Sequence, residues 1–201
     1  TNRAANVTGD IALVEAGAMK SITSYTGNEG EEKASVTYNY NFEGTTIKTI
    51  TSFNYANDAL STSDTNRAGN VTGDTAAVTL GALKSKTFYS GNESEEKAQK
   101  TYNYDYLGAA VKTTTVFNYT LDALTSSVTT KLQDGLVKKS ETLYIGNEAE
   151  EKAQKTYNYN FAGDAVKTVT EFFYTNDTLS SSNTNRAANV TGDIALVEAG
   201  A

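Results

Sequence analysis

The sequence predicts an all-β fold: tandem antiparallel hairpin or meander modules that run on as an extended β-rich rod or filament. Three observations predict it. Residues 1–18, TNRAANVTGDIALVEAGA, return letter for letter at 184–201. A longer related motif recurs from Tyr25, Tyr89 and Tyr144. Inside each copy, apolar and polar residues alternate with period two, the mark of a strand with two unlike faces.

The repeated motif reads YTGNEGEEKASVTYNYNFEGTTIKTITSFNYANDAL, YSGNESEEKAQKTYNYDYLGAAVKTTTVFNYTLDAL and YIGNEAEEKAQKTYNYNFAGDAVKTVTEFFYTNDTL. Tyr25 to Tyr89 is 64 residues and Tyr89 to Tyr144 is 55. The short step has lost nine residues where TNRAxNVTGD stands in the other copies; VTTKLQDGLVKKS stands there instead. An indel confined to one segment marks a connection or a peripheral hairpin. The organisation expected is repeat one at 1–64, repeat two at 65–127, a shortened repeat three at 128–183, and the start of the next superrepeat at 184–201. On that reading the chain is a window cut from a longer array.

The elements follow in order. Residues 19–25 and 137–144 read as a first strand. GNExEEKA comes next; its acids and Asn28, Asn92 or Asn147 as N-cap suit one helical turn, but eight residues are too few for a stable helix, so it reads as a structured connection. Val36, Tyr38, Tyr40 and Phe42 then alternate with Thr37, Asn39 and Asn41. After Gly44, Ile47, Thr49, Thr51, Phe53 and Tyr55 share one parity. Strands are expected near 35–42 and 46–55, near 99–106 and 110–119, and near 154–161 and 165–174. The hairpin register has two solutions. Asn41, Asp105 or Asn160 three residues before Gly suits a type I turn with a positive-φ Gly. A two-residue loop instead sets Tyr40 opposite Ile47 and gathers the aromatics on one face, which burial favours. NDAL, LDAL and NDTL with their Ser/Thr runs read as an exit turn.

Composition narrows the function. Apolar residues make up 38%, and Tyr supplies 13 of the aromatics, so the core is expected to be thin and Tyr-rich. Such a core suits a quasi-one-dimensional protein whose repeats stabilise their neighbours. The net charge of −7 opposes nucleic acid as a partner. No apolar run approaches the roughly 20 residues that span a bilayer.

No catalytic, cofactor or metal site is expected. His and Cys are absent, which removes Ser-His, Cys-His and His-metal chemistry. The acid pairs Glu31-Glu32, Glu95-Glu96 and Glu150-Glu151 recur in every copy, as solvated or turn-capping acids paired with Lys33, Lys97 and Lys152 would. The Thr-rich runs TTIKTITS, VKTTTVF and VKTVTEF resemble ice-binding arrays in composition, but Lys48, Lys112 and Lys167 interrupt them, and the polar face of a ribbon accounts for them. Tyr38, Tyr40, Tyr102, Tyr104, Tyr157 and Tyr159 form a candidate aromatic ladder, suited to core packing or to stacking on sugars. Asn6, Asn70 and Asn189 sit in recurrent NVT sequons and are candidate glycosylation sites.

Tyr104-Asp105-Tyr106-Leu107-Gly108 followed by Val111-Lys112-Thr113-Thr114-Thr115 resembles the YD repeat of Rhs-type wall-associated and toxin-shell proteins. Tyr40-Asn41 with Gly44, and Tyr159-Asn160 with Gly163, are Asn variants. The whole chain also resembles long, Thr- and Asn-rich repetitive surface proteins of bacteria. Those resemblances imply a secreted, non-enzymatic, often sugar-coated β-fibre at the cell surface, partnered by its own continuation, by filament neighbours and by glycans. The alternatives are an adhesin or carbohydrate-binding array and a YD-type toxin shell.

Overall fold

The structure, a computed structural model, describes residues 1–4 and 16–197. Strands β1 (Asn2–Ala4) and β2 (Ala16–Met19) form an antiparallel ribbon. Twelve more follow: β3 (Ser21–Thr26), β4 (Lys33–Tyr40), β5 (Ile47–Ala56), β6 (Ala59–Ala68), β7 (Leu80–Ser90), β8 (Lys97–Tyr104), β9 (Val111–Thr120), β10 (Ala123–Lys131), β11 (Val137–Ile145), β12 (Lys152–Tyr159), β13 (Val166–Thr175) and β14 (Thr178–Arg186). They pair in sequence order as an antiparallel meander, with β3 and β14 at its edges. The chain divides into two compact units, Thr1–Lys97 with Tyr104–Ala110 and Ala98–Asn103 with Val111–Ala201. The all-β expectation holds: the one helical piece among the described residues is a 3₁₀ turn at Ile194–Leu196.

The β4–β5 hairpin joins features of both expected registers. Gly44 takes φ +72° and its N–H donates to Asn41 O at 3.1 Å, the type I solution. Yet Tyr40 does lie opposite Ile47. A loop held by Asn41 makes both possible, since its Oδ1 accepts from Thr45 N (2.8 Å) and Thr46 N (3.1 Å). Asp105 and Asn160 hold the corresponding tips in the same way. The aromatics, however, do not all share a face. Asn39 pairs with Thr49 and Tyr40 with Ile47, leaving Lys48 as a bulge residue. The bulge reverses the parity, so Tyr38 and Tyr40 align with Ile50 and Ile47, while Phe53 follows Thr51 on the other face. Lys167 is the extra residue at the same place between β12 and β13. A parity count along the sequence is blind to that slip.

The Ser/Thr runs are a second correction. They do not belong to an exit turn but form most of β6, β10 and β14. The turns themselves are two residues long, Asn57-Asp58, Leu121-Asp122 and Asn176-Asp177, with φ between 47° and 66°, as a type I′ hairpin requires. Nothing apolar alternates in these runs, so their strand character comes from pairing rather than from an amphipathic pattern. Threonine pairs 14 residues apart bridge adjacent strands: Thr23 with Thr37, Thr51 with Thr65, Thr115 with Thr129, Thr142 with Thr156 and Thr170 with Thr184 share hydroxyl hydrogen bonds of 2.8–3.0 Å. Cross-strand Thr pairs of this kind contribute on the order of 0.2–1 kcal/mol each. The indel segment is a connection, residues 69–79 between β6 and β7, shortened to 132–136 between β10 and β11.

Core packing is thin. Tyr157, Tyr159, Val166 and Val169 form a buried cluster on which Leu143, Ala187, Ile194 and Val197 pack. Ile47 and Ile50 are the buried apolar residues at the equivalent place in repeat one.

The hairpin glycines pack on the backbone of the preceding strand. A Cβ on Gly108 would lie 2.6 Å from Leu83 N, and its φ is +72°. The left-handed backbone and the overlap together lead us to expect that Gly108→Ala costs about 2–4 kcal/mol, read as a lowered urea midpoint. A midpoint equal to that of the wild type would contradict this packing.

Candidate functional site

The most built-up cluster of ionisable groups lies where GNExEEKA meets the exit turn. The segment is not helical. Glu31 N donates to Asn28 O at 2.9 Å, and Glu95 and Glu150 repeat the bond to Asn92 and Asn147 at 3.0 Å. The third residue of each turn has positive φ: Gly30 83°, Ser94 70°, Ala149 66°, the requirement of a type II turn. The residues after this turn reach the type I′ turns, the glutamate in repeats two and three and the lysine in repeats one and three.

Lys33 Nζ has three partners, Asp58 O (2.7 Å), Asp58 Oδ1 (3.0 Å) and Glu93 Oε1 (2.9 Å). The Glu93 carboxylate foremost, with Asp58, raises its pKa. Lys152 makes the equivalent pair with Asp177 at 2.5 Å, which holds the Asp177 carboxyl below its usual range. Glu96 reaches back to the preceding repeat, where its Oε1 accepts Leu60 N at 2.7 Å; Glu151 does the same to Leu124 N at 2.9 Å. The Leu60 N–H is the main reason the Glu96 carboxyl titrates low. Tyr hydroxyls close the same end: Tyr55, Tyr119 and Tyr174 donate to the carbonyls of Ala34, Ala98 and Ala153 at 2.8–2.9 Å. A shallow groove lined by Gly27, Asn28, Glu31, Lys33 and Asp58 recurs as Gly146, Asn147, Glu150, Lys152 and Asp177. Chemically this arrangement fixes turns. The second acid of each pair in repeats two and three caps a backbone N–H, and the lysine ammonium is filled by carbonyl and carboxylate oxygens.

The opposite ends of the hairpins carry a second recurrent contact, which the sequence reading missed. Arg3 lies over the Phe42 ring (5.1 Å to the centroid) and Arg67 over Tyr106 (5.2 Å). Arg3 donates to Met19 O and Asn41 O, both at 3.2 Å. In repeat three Lys131 replaces the arginine, 3.5 Å from the centroid of Phe161, and donates to the Phe161 carbonyl. The available signal was a basic residue at a constant distance before each tip, reduced in repeat three by the nine deleted residues.

The candidate residues fall as follows. Tyr157 and Tyr159 are buried, and Tyr38, Tyr40, Tyr102 and Tyr104 are half-buried in their strands. Tyr40 donates to Gly73 O at 2.8 Å, tying the long connection to the hairpin. Asn70 is exposed and closes that connection: its Oδ1 accepts Thr79 N (2.8 Å) and its Nδ2 donates to Ala77 O (3.0 Å). Asn189 Nδ2 donates likewise to Leu196 O at 2.6 Å. The same Nδ2 atoms would carry an N-linked glycan. Asn6 lies outside the described residues. No three His, Cys, Asp or Glu side chains among the described residues converge as a cation site. No family model matches the chain, and no curated protein matches it.

Two outcomes follow. Glu96, Asp105 and Asp177 all have folded pKa values below the ordinary carboxylate range. Their contribution is therefore fully present above the unfolded pKa and is lost as pH falls below the ordinary carboxylate range through the lower folded values. Urea midpoints should decline across that window, and Glu96→Gln should make the decline shallower; an unchanged slope would contradict the Leu60 bond. Ala149→Gly should raise stability by about 0.5–1 kcal/mol, because it relieves a left-handed alanine. A fall in the thermal midpoint of that variant would contradict the turn geometry.

Proposed function

We propose that this chain is a non-enzymatic structural protein: a segment of a tandem-repeat fibre outside the cell or at its surface, serving matrix, attachment or stalk formation. The observation that supports it most is the use of the recurrent ionisable groups. The lysine position closes the turn in repeats one and three, the glutamate position of repeats two and three caps the turn of the repeat before, and the basic residue before each tip covers its aromatic ring. Groups held this way stiffen a repeating scaffold. Extension into a rod, with covalent continuation and filament neighbours as partners, belongs to the same proposal.

Antibodies raised against the folded chain should label intact producing cells, and disruption of its gene should weaken attachment or matrix cohesion. Labelling that requires permeabilised cells would overturn the extracellular assignment. One observation favours an adhesin as the second reading. The tip rings of Phe42, Tyr106 and Phe161 are 78%, 78% and 91% exposed, each beside a cation, a combination able to stack on sugars. Saturable glycan binding that is lost when all three become Ala would support that reading over the purely structural one.

A further inference from the structure

We infer that a second copy of this chain docks side by side on the first, the basic hairpin-tip end of one sheet meeting the acidic turn end of the other. The residues concerned lie on interior strands and their turns, and the cellular location proposed above has no part in it.

A meander sends its connections alternately to the two ends of its strands, and the sequence loads those ends with opposite charge. One end receives the GNExEE segments and the I′ turns. There each repeat brings three glutamates and one aspartate against a single lysine, Lys33, Lys97 or Lys152. Glu31, Glu95 and Glu150 are exposed. The side chains of Glu31 and Glu95 touch only the asparagine of their own turn, at 3.5 and 3.3 Å.

The other end receives the tips and the longer connections, and it collects lysines. Lys48, Lys84, Lys139 and Lys167 are each the extra residue of a bulge, and Lys112 stands at the same place in the second hairpin. A bulge re-aims the side chain it carries out of the ladder. Lys84 and Lys139 directly follow Leu83 and Lys138, on whose backbone N atoms the tip glycines Gly108 and Gly163 pack. All five lysines are exposed, and none has an ion pair among the described residues. Lys33, Lys86, Lys138, Lys152 and Lys155, by contrast, are paired with acids. The five lie on β5, β7, β9, β11 and β13, each with a hydrogen-bonded strand on either side, so no free sheet edge accounts for their exposure. Most acids at this end are engaged by their own loops. Asp74, Asp105, Asp134 and Asp193 accept backbone N–H groups, and Asp164 accepts Asn160 Nδ2. Glu43 has no such partner among the described residues.

The strands keep the two charges apart. Eight to ten residues at about 3.3 Å each separate the ends by roughly 26–33 Å. The screening length near physiological salt is about 8–10 Å. The ends of one copy therefore do not neutralise each other. Both ends recur every four strands, because they terminate the same strands, so the lysine and glutamate rows share one period. Each compact unit has both: Lys48 and Lys84 with Glu31 and Glu95 in the first, and Lys112, Lys139 and Lys167 with Glu150 in the second. Exposed ion pairs are individually weak, so the contact draws on several repeats at once. Its two faces differ, and a third copy adds in the same way.

Sedimentation of the whole chain should show association that grows with concentration at about 0.1 M salt and is lost at about 1 M, where the screening length is about 3 Å. Reversing the tip end, with Lys48→Glu, Lys84→Glu, Lys112→Glu, Lys139→Glu and Lys167→Glu together, should leave a monomer with wild-type circular dichroism. Reversing the turn end, with Glu31→Lys, Glu95→Lys and Glu150→Lys, should do the same. A chain with both reversals should associate again. The wild type has no Cys, so oxidative cross-linking reads which ends meet: a mixture of Lys84→Cys and Glu95→Cys chains should give mainly the mixed disulfide. A wild type that stays monomeric at every concentration and salt would overturn the inference. So would association that survives either single reversal, a double reversal that stays monomeric, or disulfides mainly between two Lys84→Cys chains, which would mean tip meeting tip.

Discussion

A strand in this chain gains little from burial. The buried apolar side chains among the described residues are confined to Ile47, Ile50, Tyr157, Tyr159, Ala165, Val166 and Val169. Each strand depends instead on the strands beside it, through the backbone ladder and the side-chain bonds laid across it. The Thr–Thr pairs show the principle: each Oγ1 is satisfied by the neighbouring strand, so a polar residue works as cross-strand adhesive where other sheets use an apolar pair. The dependence is mutual, as expected for a repeat protein whose stability is a sum of nearest-neighbour terms.

Two end devices keep the ladders in register. At one end, tight I′ turns have positive φ at both positions; Asn57-Asp58 is capped by Glu96 and pinned by Lys33, Leu121-Asp122 is capped by Glu151, and Asn176-Asp177 is pinned by Lys152. At the other, an Asn or Asp at the loop entrance holds the tip, and a basic residue from a strand not adjacent to the hairpin lies over the aromatic. The deletion in repeat three shows which parts are separable. It shortens the connection that bears Asn70 and Gly73 in repeat two, and still leaves a cation over Phe161. The loop can vary; the tip contact is kept by Lys131 in place of Arg.

Strong alternation was legible in the sequence. Val36, Tyr38 and Tyr40, with Ile47 beyond the turn, placed the hairpins because their apolar face is a local signal. β6, β10 and β14 were not legible as strands, since Ser and Thr on both parities provide no such signal and the pairing that makes them strands is contributed by neighbours. The Lys48 and Lys167 bulges were also hidden: one extra residue reverses a face without changing composition, and the lysines read as interruptions of a Thr array. At the turn, a capping role for the acids was among the readings open in GNExEEKA, but the particular partner of Glu96, a backbone N–H in the preceding repeat, depends on a contact 36 residues away. The Arg-over-aromatic tips had a sequence signal in their spacing, which becomes visible only once the hairpin tips are aligned.

The central claim is that neighbours, rather than the sequence of the strand itself, make these strands stable. Amide hydrogen exchange on the dilute protein compares them within one molecule. β6 and β14 have closely similar sequences, but β6 lies between β5 and β7 whereas β14 is an edge. The account predicts strong protection across Thr62–Asn66 and much weaker protection across Ser181–Asn185. Equal protection of the two strands in the monomer would contradict it.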